Sequence, residues 1–577
     1  MKAGRHSRAG KNRLSRKVPE TIILAALVCL LCVVVFRRGK PAQAAQPSAA
    51  PAQTQTLTSP QPSAAEESPA LEFAPRCVDS TEPEKLLKST GIMVDGAAAD
   101  SYAAAQGDII DFGQGKEYTE AQGIVTFRGN NFRDTAAYGT ADITQKKFGG
   151  SWSVRSGSLK APDGAVWTGS GWVGQPLIMT WPMDVRAHMN MYDWAKKQDK
   201  LTEVVYATMD GHVYFLDLET GKPTRDALNL GYTFKGAGAL DPRGYPILYL
   251  GAGYDSSLGR SRAFIINLLD CSVMYEFGNS DSFSLRGGLS FFDGSPLVDA
   301  ETDQLIYPGE SGILYIIKLN TSYDREAGKL SIAPSKTVKW RYYGTRSAGR
   351  YLGMEDSAVI WRGHLIIAEN GGDLICLDIN KLKVDWVQDV LDDTNDSPVL
   401  ELEDGIPYIY ISTSFHYGWR STGTATIPIW KIDARTGEIV WHTDYTCYTV
   451  PEVSGGVQGT VALGKNKVDD LIYVPVARTG SASAGKLTAL YKSTGKVAWE
   501  FDSYYAWSSL VVVYDSQGNG YIVYCTCGGS IYLLDGRTGE KLDVRDLGGN
   551  IEASPAVYGS TVVVGTRRQM IYGIKLT

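Results

Sequence analysis

Ile429-Trp430-Lys431-Ile432-Asp433-Ala434-Arg435-Thr436-Gly437-Glu438, followed by Trp441, is the stretch that decides the fold. The same unit recurs at 213–222, at 487–496 with Trp499, and at 531–540. Weaker copies stand at 264–267, 315–318, 375–378 (with Trp386) and 572–575. The Asp of each copy, or the residue in its place, falls at 217, 267, 318, 378, 433, 491, 535 and 575. Eight copies at this spacing indicate a repeat architecture, which has to be settled before any motif is read.

The chemistry of the unit gives its shape. Two short β-rich stretches precede each marker, as at 556–558 and 561–564. A glycine six residues before the marker (Gly211, Gly312, Gly372, Gly485, Gly529) turns the chain into an aromatic-bearing strand. Thr-Gly then makes a tight turn, where glycine accepts positive φ, and a last strand carries the Trp. Four antiparallel strands cannot bury both sheet faces alone, so neighbouring units stack around an axis. The expectation is all-β: an eight-bladed β-propeller of four-stranded antiparallel blades, preceded by an N-terminal transmembrane helix and a disordered linker. The eighth copy lacks its outer strand. Phe148-Gly149-Gly150-Ser151-Trp152-Ser153-Val154 has the character of that strand and is expected to close the ring, because an open ring leaves two exposed edges.

Outside the repeats, charge addresses the chain. Its 577 residues carry a formal net charge of −6. Residues 1–40 hold ten Lys/Arg against Glu20 alone, so the rest is strongly acidic. An acidic body argues against a nucleic-acid-binding surface. Residues 22–36 are an unbroken apolar run flanked by basic residues. As a helix it rises about 22 Å, short of a hydrocarbon core of roughly 30 Å, with Lys and Arg able to snorkel at both ends. A retained signal anchor is expected, with the N-terminus cytoplasmic and the propeller extracytoplasmic, as a single-pass protein of the cell membrane. The boundaries read as a basic cytoplasmic tail (1–20), a transmembrane helix (21–36) and a Pro/Ala/Ser/Gln-rich linker (37–85). A lead-in segment (86–147) and the propeller (148–577) follow. Six scattered cysteines, from Cys77 to Cys527, follow the apolar run, so the fold does not look disulfide-dependent.

The units resemble the pyrroloquinoline-quinone-like β-propeller repeat, with its aromatic-x-Leu-Asp-x-x-Thr-Gly-x-x-x-Trp pattern. Thr126-Phe127-Arg128-Gly129-Asn130-Asn131-Phe132-Arg133-Asp134-Thr135 is similar to the segment that leads into many such propellers. The resemblance covers about residues 120–577. It implies one of two classes: quinone-dependent alcohol and sugar dehydrogenases, or non-catalytic propellers such as the lipoprotein scaffold of outer-membrane barrel assembly. In the dehydrogenases the quinone packs beside a disulfide between adjacent cysteines and is coordinated by Ca²⁺. This sequence has no adjacent Cys pair, no Glu–Asn–Asp set that aligns with that site, and no lipobox.

Other motifs are weak. Gly169-Ser170-Gly171-Trp172-Val173-Gly174 fits G-x-G-x-x-G but runs into a strand-like stretch, so it reads as a turn. Cys525 and Cys527 share one strand face without further ligands in view, and the six His show no metal-ligand spacing. No H-E-x-x-H, G-x-S-x-G or Walker A run is present. The stronger signal is loop decoration on one propeller face. Long loops carry Tyr254, Arg260, Arg262, His416, Tyr417, Trp419, Arg420 and Arg478; interblade segments add Arg286, Arg346, Arg350 and Glu355. Such residues on exposed loops anchor partners. The functional expectation is a membrane-anchored scaffold that binds a protein, peptide or cell-envelope glycan. It has no catalytic residues, metal or cofactor of its own. The alternative is a dehydrogenase dependent on pyrroloquinoline quinone (PQQ) and Ca²⁺.

Overall fold

Each recurring unit folds into a four-stranded antiparallel sheet whose third strand ends on or beside the marker residue. The computed structural model describes residues 73–577 except 173, 347–351, 416–422 and 449–453. Blade 4 shows the pattern: Val359–Trp361 innermost, then His364–Ala368, Asp373–Asp378 and Lys383–Asp389 in sequence order. Blades 1, 2 and 3 are built the same way around third strands His212–Asp217, Ala263–Asn267 and Ile313–Lys318. Blades 5, 6 and 7 follow around Thr424–Asp433, Ala484–Tyr491 and Ser530–Asp535. Blade 8 takes Ala556–Tyr558, Thr561–Thr566 and Met570–Leu576 from the C-terminus and Phe148–Arg155 as its outer strand. The ring closes as the sequence predicts, with Trp152 opposite Gly573.

The Trp of the repeat fastens one blade to the next. Trp386, Trp441, Trp499 and Trp152 each donate an indole N–H to the carbonyl one residue past the next blade's marker. The acceptors are Ala434 (2.9 Å), Lys492 (2.8 Å), Gly536 (3.1 Å) and Leu218 (2.9 Å). Each ring lies on the glycine of that blade's Thr-Gly turn. A Cβ there would sit 2.5–2.6 Å from the indole, at φ of +69° to +74°, so both space and conformation require glycine. Between blades 1 and 2 a guanidinium takes the Trp's place, Arg225 donating to the Leu268 carbonyl at 2.7 Å.

The lead-in segment does not stand apart from the ring. Gly123–Ile124 pairs with the inner strand of blade 1, and Thr126 bridges Ala239 of blade 2. Thr126 Oγ1 donates to the Pro296 carbonyl of blade 3, and Asn131 to that of Ile360 in blade 4. Leu400 N–H of blade 5 donates to the Phe132 carbonyl, Lys465 of blade 6 meets Asp134 at 2.7 Å, and Arg128 donates to the Leu510 carbonyl of blade 7. Ala137–Tyr138 then runs parallel to the inner strand of blade 8. This stretch is therefore an axial plug touching every blade. Upstream, Leu87–Val94 extends blade 3 beyond its outer strand Lys336–Gly344.

The membrane reading is corrected here. No helix among the described residues is long and apolar enough to cross a membrane, and the expected span at 21–36 lies outside them. The transmembrane helix, signal anchor, membrane partner and single-pass localisation are therefore not carried forward.

Candidate functional site

Acidic residues converge around the axis on one face of the ring. The segments leading into the inner strands of blades 3, 4 and 5 carry Asp293, Glu355-Asp356 and Asp392-Asp393. Turns between second and third strands add Glu310 from blade 3 and Glu369-Asn370 from blade 4. All of these but Glu355 are buried. Lys235, leading into blade 2, is buried too and meets Asp293 Oδ2 at 2.9 Å. Asn370 and Asn395 donate to the two oxygens of Glu355, each at 2.9 Å. Two glycines let these groups close up. A Cβ on Gly253 would lie 2.3 Å from Asp293 Oδ1, and one on Gly353 within 2.8–3.1 Å of Arg286 Nη1 and Asn370 Oδ1.

Burial without enough cations governs the electrostatics. Burial, then Glu355 and Asp293, push Glu310 well above the usual carboxylate range. Burial also raises Asp293 against the pull of Lys235. Each of Asp293 and Glu310 contributes to the other's shift, as expected where two acids share one site. Burial raises Asp356, Asp393 and Glu369 well above their ordinary values, assisted by Asp396, Glu355 and Asp373 respectively. Burial opposes the charge on Lys235, but Asp293, Glu310 and Glu355 outweigh it. Among the described residues, Asp293 Oδ1, Glu310 Oε1, Asn370 Oδ1 and both Asp356 oxygens meet no hydrogen-bond donor. Buried oxygens in that state mark a site that something else completes.

An aromatic arc borders the acids. Trp167 contacts Tyr254 (4.9 Å between centroids) and Trp172 (6.4 Å), and Trp172 contacts Trp507 (6.5 Å), which reaches Tyr505 (5.7 Å). Lys235 Nζ lies 4.8 Å from the Trp172 ring and 5.4 Å from that of Trp167. Trp172 holds φ of +55°, a strain of order 1 kcal/mol of the kind found at binding sites. Hard oxygen donors gathered with few cationic partners suit a hard divalent cation such as Ca²⁺, which would take the place of their protons, and the arc suits a planar ring. The residues present therefore fit the quinone and Ca²⁺ of the dehydrogenase class, although no adjacent cysteines flank them.

The loop residues named from sequence separate. Arg286 and Glu355 belong to the acidic site; Arg286 Nη1 also donates to the Leu352 carbonyl at 2.8 Å. Tyr254 joins the aromatic arc and donates to Asp163. Arg260 and Arg262 pair with Asp255 (2.7 Å) and Glu276 (2.6 Å) on the rim. Arg346 bonds Asp373 and Asp389 (each 2.7 Å), and buried Arg478 lies 4.4 Å from the Tyr505 ring. Arg350, His416, Tyr417, Trp419 and Arg420 lie outside the described residues. Sequence reasoning missed Lys235, Asp293, Glu310, Asp356 and Asn370. Their signal was an acid just before the inner strand, as in Asp293-Gly294-Ser295-Pro296, Asp356-Ser357-Ala358 and Asp396-Ser397-Pro398. Elsewhere in blade 4, His364, Cys376 and Asp385 bring their donor atoms within 4.8 Å of one another, a group that sequence spacing did not show.

Residues 326–506 match the family model described as outer membrane protein assembly factor BamB. Among solved structures, quinohemoprotein alcohol dehydrogenase from Comamonas testosteroni is similar over 82% of this chain and 83% of its own. The TM-score is 0.53 and the identity 14%. Quinohemoprotein alcohol dehydrogenase ADHIIG from Pseudomonas putida HK5 matches at TM-score 0.49 and 13% identity over 79% and 80%. BamB from Moraxella catarrhalis matches at 0.44 and 14% over 65% and 93%. A curated relative, beta-alanine-activating enzyme of Danio rerio, is 29% identical over 96 residues, which span 16% of this chain and 8% of that protein. The expectation against catalysis is not carried forward, because the fold is shared with an alcohol dehydrogenase over four-fifths of both chains and blade 4 brings three candidate metal ligands together; at 14% identity that likeness shows the fold alone. Eight blades, closed through Trp152 and plugged by 123–138, form a β-propeller of the quinoprotein type, a fold shared with the alcohol dehydrogenase and, over 326–506, matched by the BamB family model.

Proposed function

We propose that the chain is a quinoprotein-type oxidoreductase that oxidises an alcohol or sugar at the acidic site on the propeller axis. The observation that carries this reading is the convergence of buried carboxyl and carboxamide oxygens from blades 3 and 4, several of them without a donor, beside Lys235 and the aromatic arc. Glu310, Glu355 and Asn370 are the groups to hold a hard cation. Trp167 and Trp172 are the rings to flank a planar cofactor. Pyrroloquinoline quinone bound there supplies the two-electron acceptor. Asp293, oriented by Lys235, takes the hydroxyl proton of the substrate on Oδ1; its raised pKa suits a proton acceptor. The test is dye reduction by the purified chain given PQQ and Ca²⁺ across a panel of alcohols and sugars. Turnover that disappears in Asp293→Asn supports the reading. No turnover and no spectral change from a folded chain defeats it.

One observation favours a second reading, capture of a protein or peptide partner on the rim. Leu258 is 65% exposed on the loop that carries Tyr254, Arg260 and Arg262, and an exposed apolar residue among arginines is a common anchor. Crosslinking the folded chain in its native cells, with and without Leu258→Asp, tests it. Loss of a crosslinked partner supports rim capture, and an unchanged crosslinking pattern defeats it.

A further inference from the structure

We infer that blade 4 carries a separate metal site of mixed donors, in which His364 Nδ1, Cys376 Sγ and Asp385 hold a zinc-class transition-metal dication. Three neighbouring strands supply the ligands. His364 opens the second strand and pairs with Asp378; Cys376 is buried on the third and pairs with Ile366, so His364 and Cys376 share one face. The register shifts between Cys376 and Leu377, which leaves Asp385 as the extra residue of a β-bulge. A bulge re-aims its side chain, and here Asp385 Oδ2 lies 2.8 Å from His364 Nδ1 and 3.9 Å from Cys376 Sγ.

The repeat supplies an internal control. Blades 2, 5, 6 and 7 have the same bulge, and none places His, Cys, Asp or Glu at any of the three equivalent positions. Blade 6 has Leu471, Ala489 and Ala498 there, and blade 7 has Tyr521, Leu533 and Leu542. The propeller itself therefore does not need polar groups at these points. One nitrogen, one sulfur and one oxygen donor select a borderline-soft dication over Ca²⁺ or Mg²⁺. In a tetrahedral zinc site the sulfur–oxygen separation is about 3.5 Å and the nitrogen–oxygen separation about 3.3 Å. The nitrogen–oxygen and sulfur–oxygen edges need shifts of roughly half an ångström to reach that geometry, and the sulfur–nitrogen edge, within 4.8 Å here, closes to about 3.5 Å, with the fourth position left for water. Phe73 packs edge-on to the His364 ring at 5.2 Å and lies 4.8 Å from Trp361, so the metal would also steady the contact of Phe73 with blade 4.

The test is titration of Co²⁺ into the full-length, reduced, metal-free chain with Cys29, Cys32 and Cys77 replaced by Ser. The expected result is one equivalent bound, with visible d–d bands and a near-ultraviolet thiolate-to-metal band. Zn²⁺ displaces it and millimolar Ca²⁺ does not. Cys376→Ser removes the near-ultraviolet band. His364→Ala and Asp385→Asn weaken binding by more than the ~10-fold that loss of an outer-shell partner costs. Zn²⁺ raises the melting temperature of the parent chain but not of Asp385→Asn. A folded parent chain that shows no such bands overturns the proposal, whatever the variants do. So does a near-ultraviolet band that survives in Cys376→Ser.

Discussion

Arg133 and Asp293 are buried charges served by the same segment of blade 3, and they are treated in opposite ways. The Arg133 guanidinium, in the plug, donates to the carbonyls of Ala358, Phe127 and Ser295 and to Thr126 Oγ1, all at 2.8–3.0 Å. Two residues before Ser295, Asp293 keeps one oxygen on Lys235 and leaves the other without a donor among the described residues. In the plug, four of the five guanidinium N–H donors are spent, on three backbone carbonyls and one hydroxyl. The acidic site keeps oxygens unpartnered at similar depth. A buried charge whose donors are nearly all bonded holds the fold together, whereas one held with unpartnered oxygens marks where a ligand completes the structure.

Four changes break or sharpen that contrast. The largest effect is expected from Arg133→Met, which strips four acceptors of their donor and should cost about 3–5 kcal/mol, measured by chemical denaturation. Whatever chain folds should keep its activity; loss of activity at unchanged stability would place the plug in the site. Next, Glu310→Gln should lower PQQ-dependent dye reduction by about 10²-fold without lowering the melting temperature. A large loss of stability instead would make Glu310 a structural group like Arg133.

The third change concerns pH. Burial lifts Asp396 to about 8, although it accepts backbone N–H bonds from Ser412 and Val461. The folded chain therefore holds a proton that the unfolded chain releases near 3.8. Its contribution to stability is full below that value and is lost as pH rises towards about 8. Denaturation midpoints should fall across that window in the metal-free chain, and Asp396→Asn should flatten the slope. A steeper or unchanged slope would remove Asp396 as its source. The smallest effect is expected at the rim: Arg260→Ala breaks an exposed pair with Asp255 and an exposed hydrogen bond to the Gly288 carbonyl, together worth about 1 kcal/mol or less. Its stability and dye reduction should match those of the parent chain.

The fold was legible because the repeat writes its own contacts into sequence. Thr-Gly and Trp recur together because each Trp sits on the next blade's glycine, and Trp152 betrayed the closing strand by carrying that signal at the wrong end of the chain. The axial site was less legible. Its acids come one or two at a time from neighbouring blades, so no spacing within a segment announces them, and Glu355 and Arg286 read as loop decoration. The lead-in motif was visible at 126–135, but its contacts with all eight blades follow from ring closure rather than local pattern. The blade 4 triad depends on a bulge that moves Asp385 by one register step, which strand alternation alone cannot foresee.

The central claim is that the unmatched carboxyls at the axis are a ligand site. It is tested most directly by titrating PQQ into the folded chain with Ca²⁺ while following tryptophan fluorescence. The account predicts one equivalent bound, with quenching attributable to Trp167 and Trp172. That binding should be lost on chelation of Ca²⁺ and in the Asp293→Asn, Glu310→Gln double variant. A folded chain that shows no Ca²⁺-dependent binding, or a double variant that binds as the parent does, would contradict it.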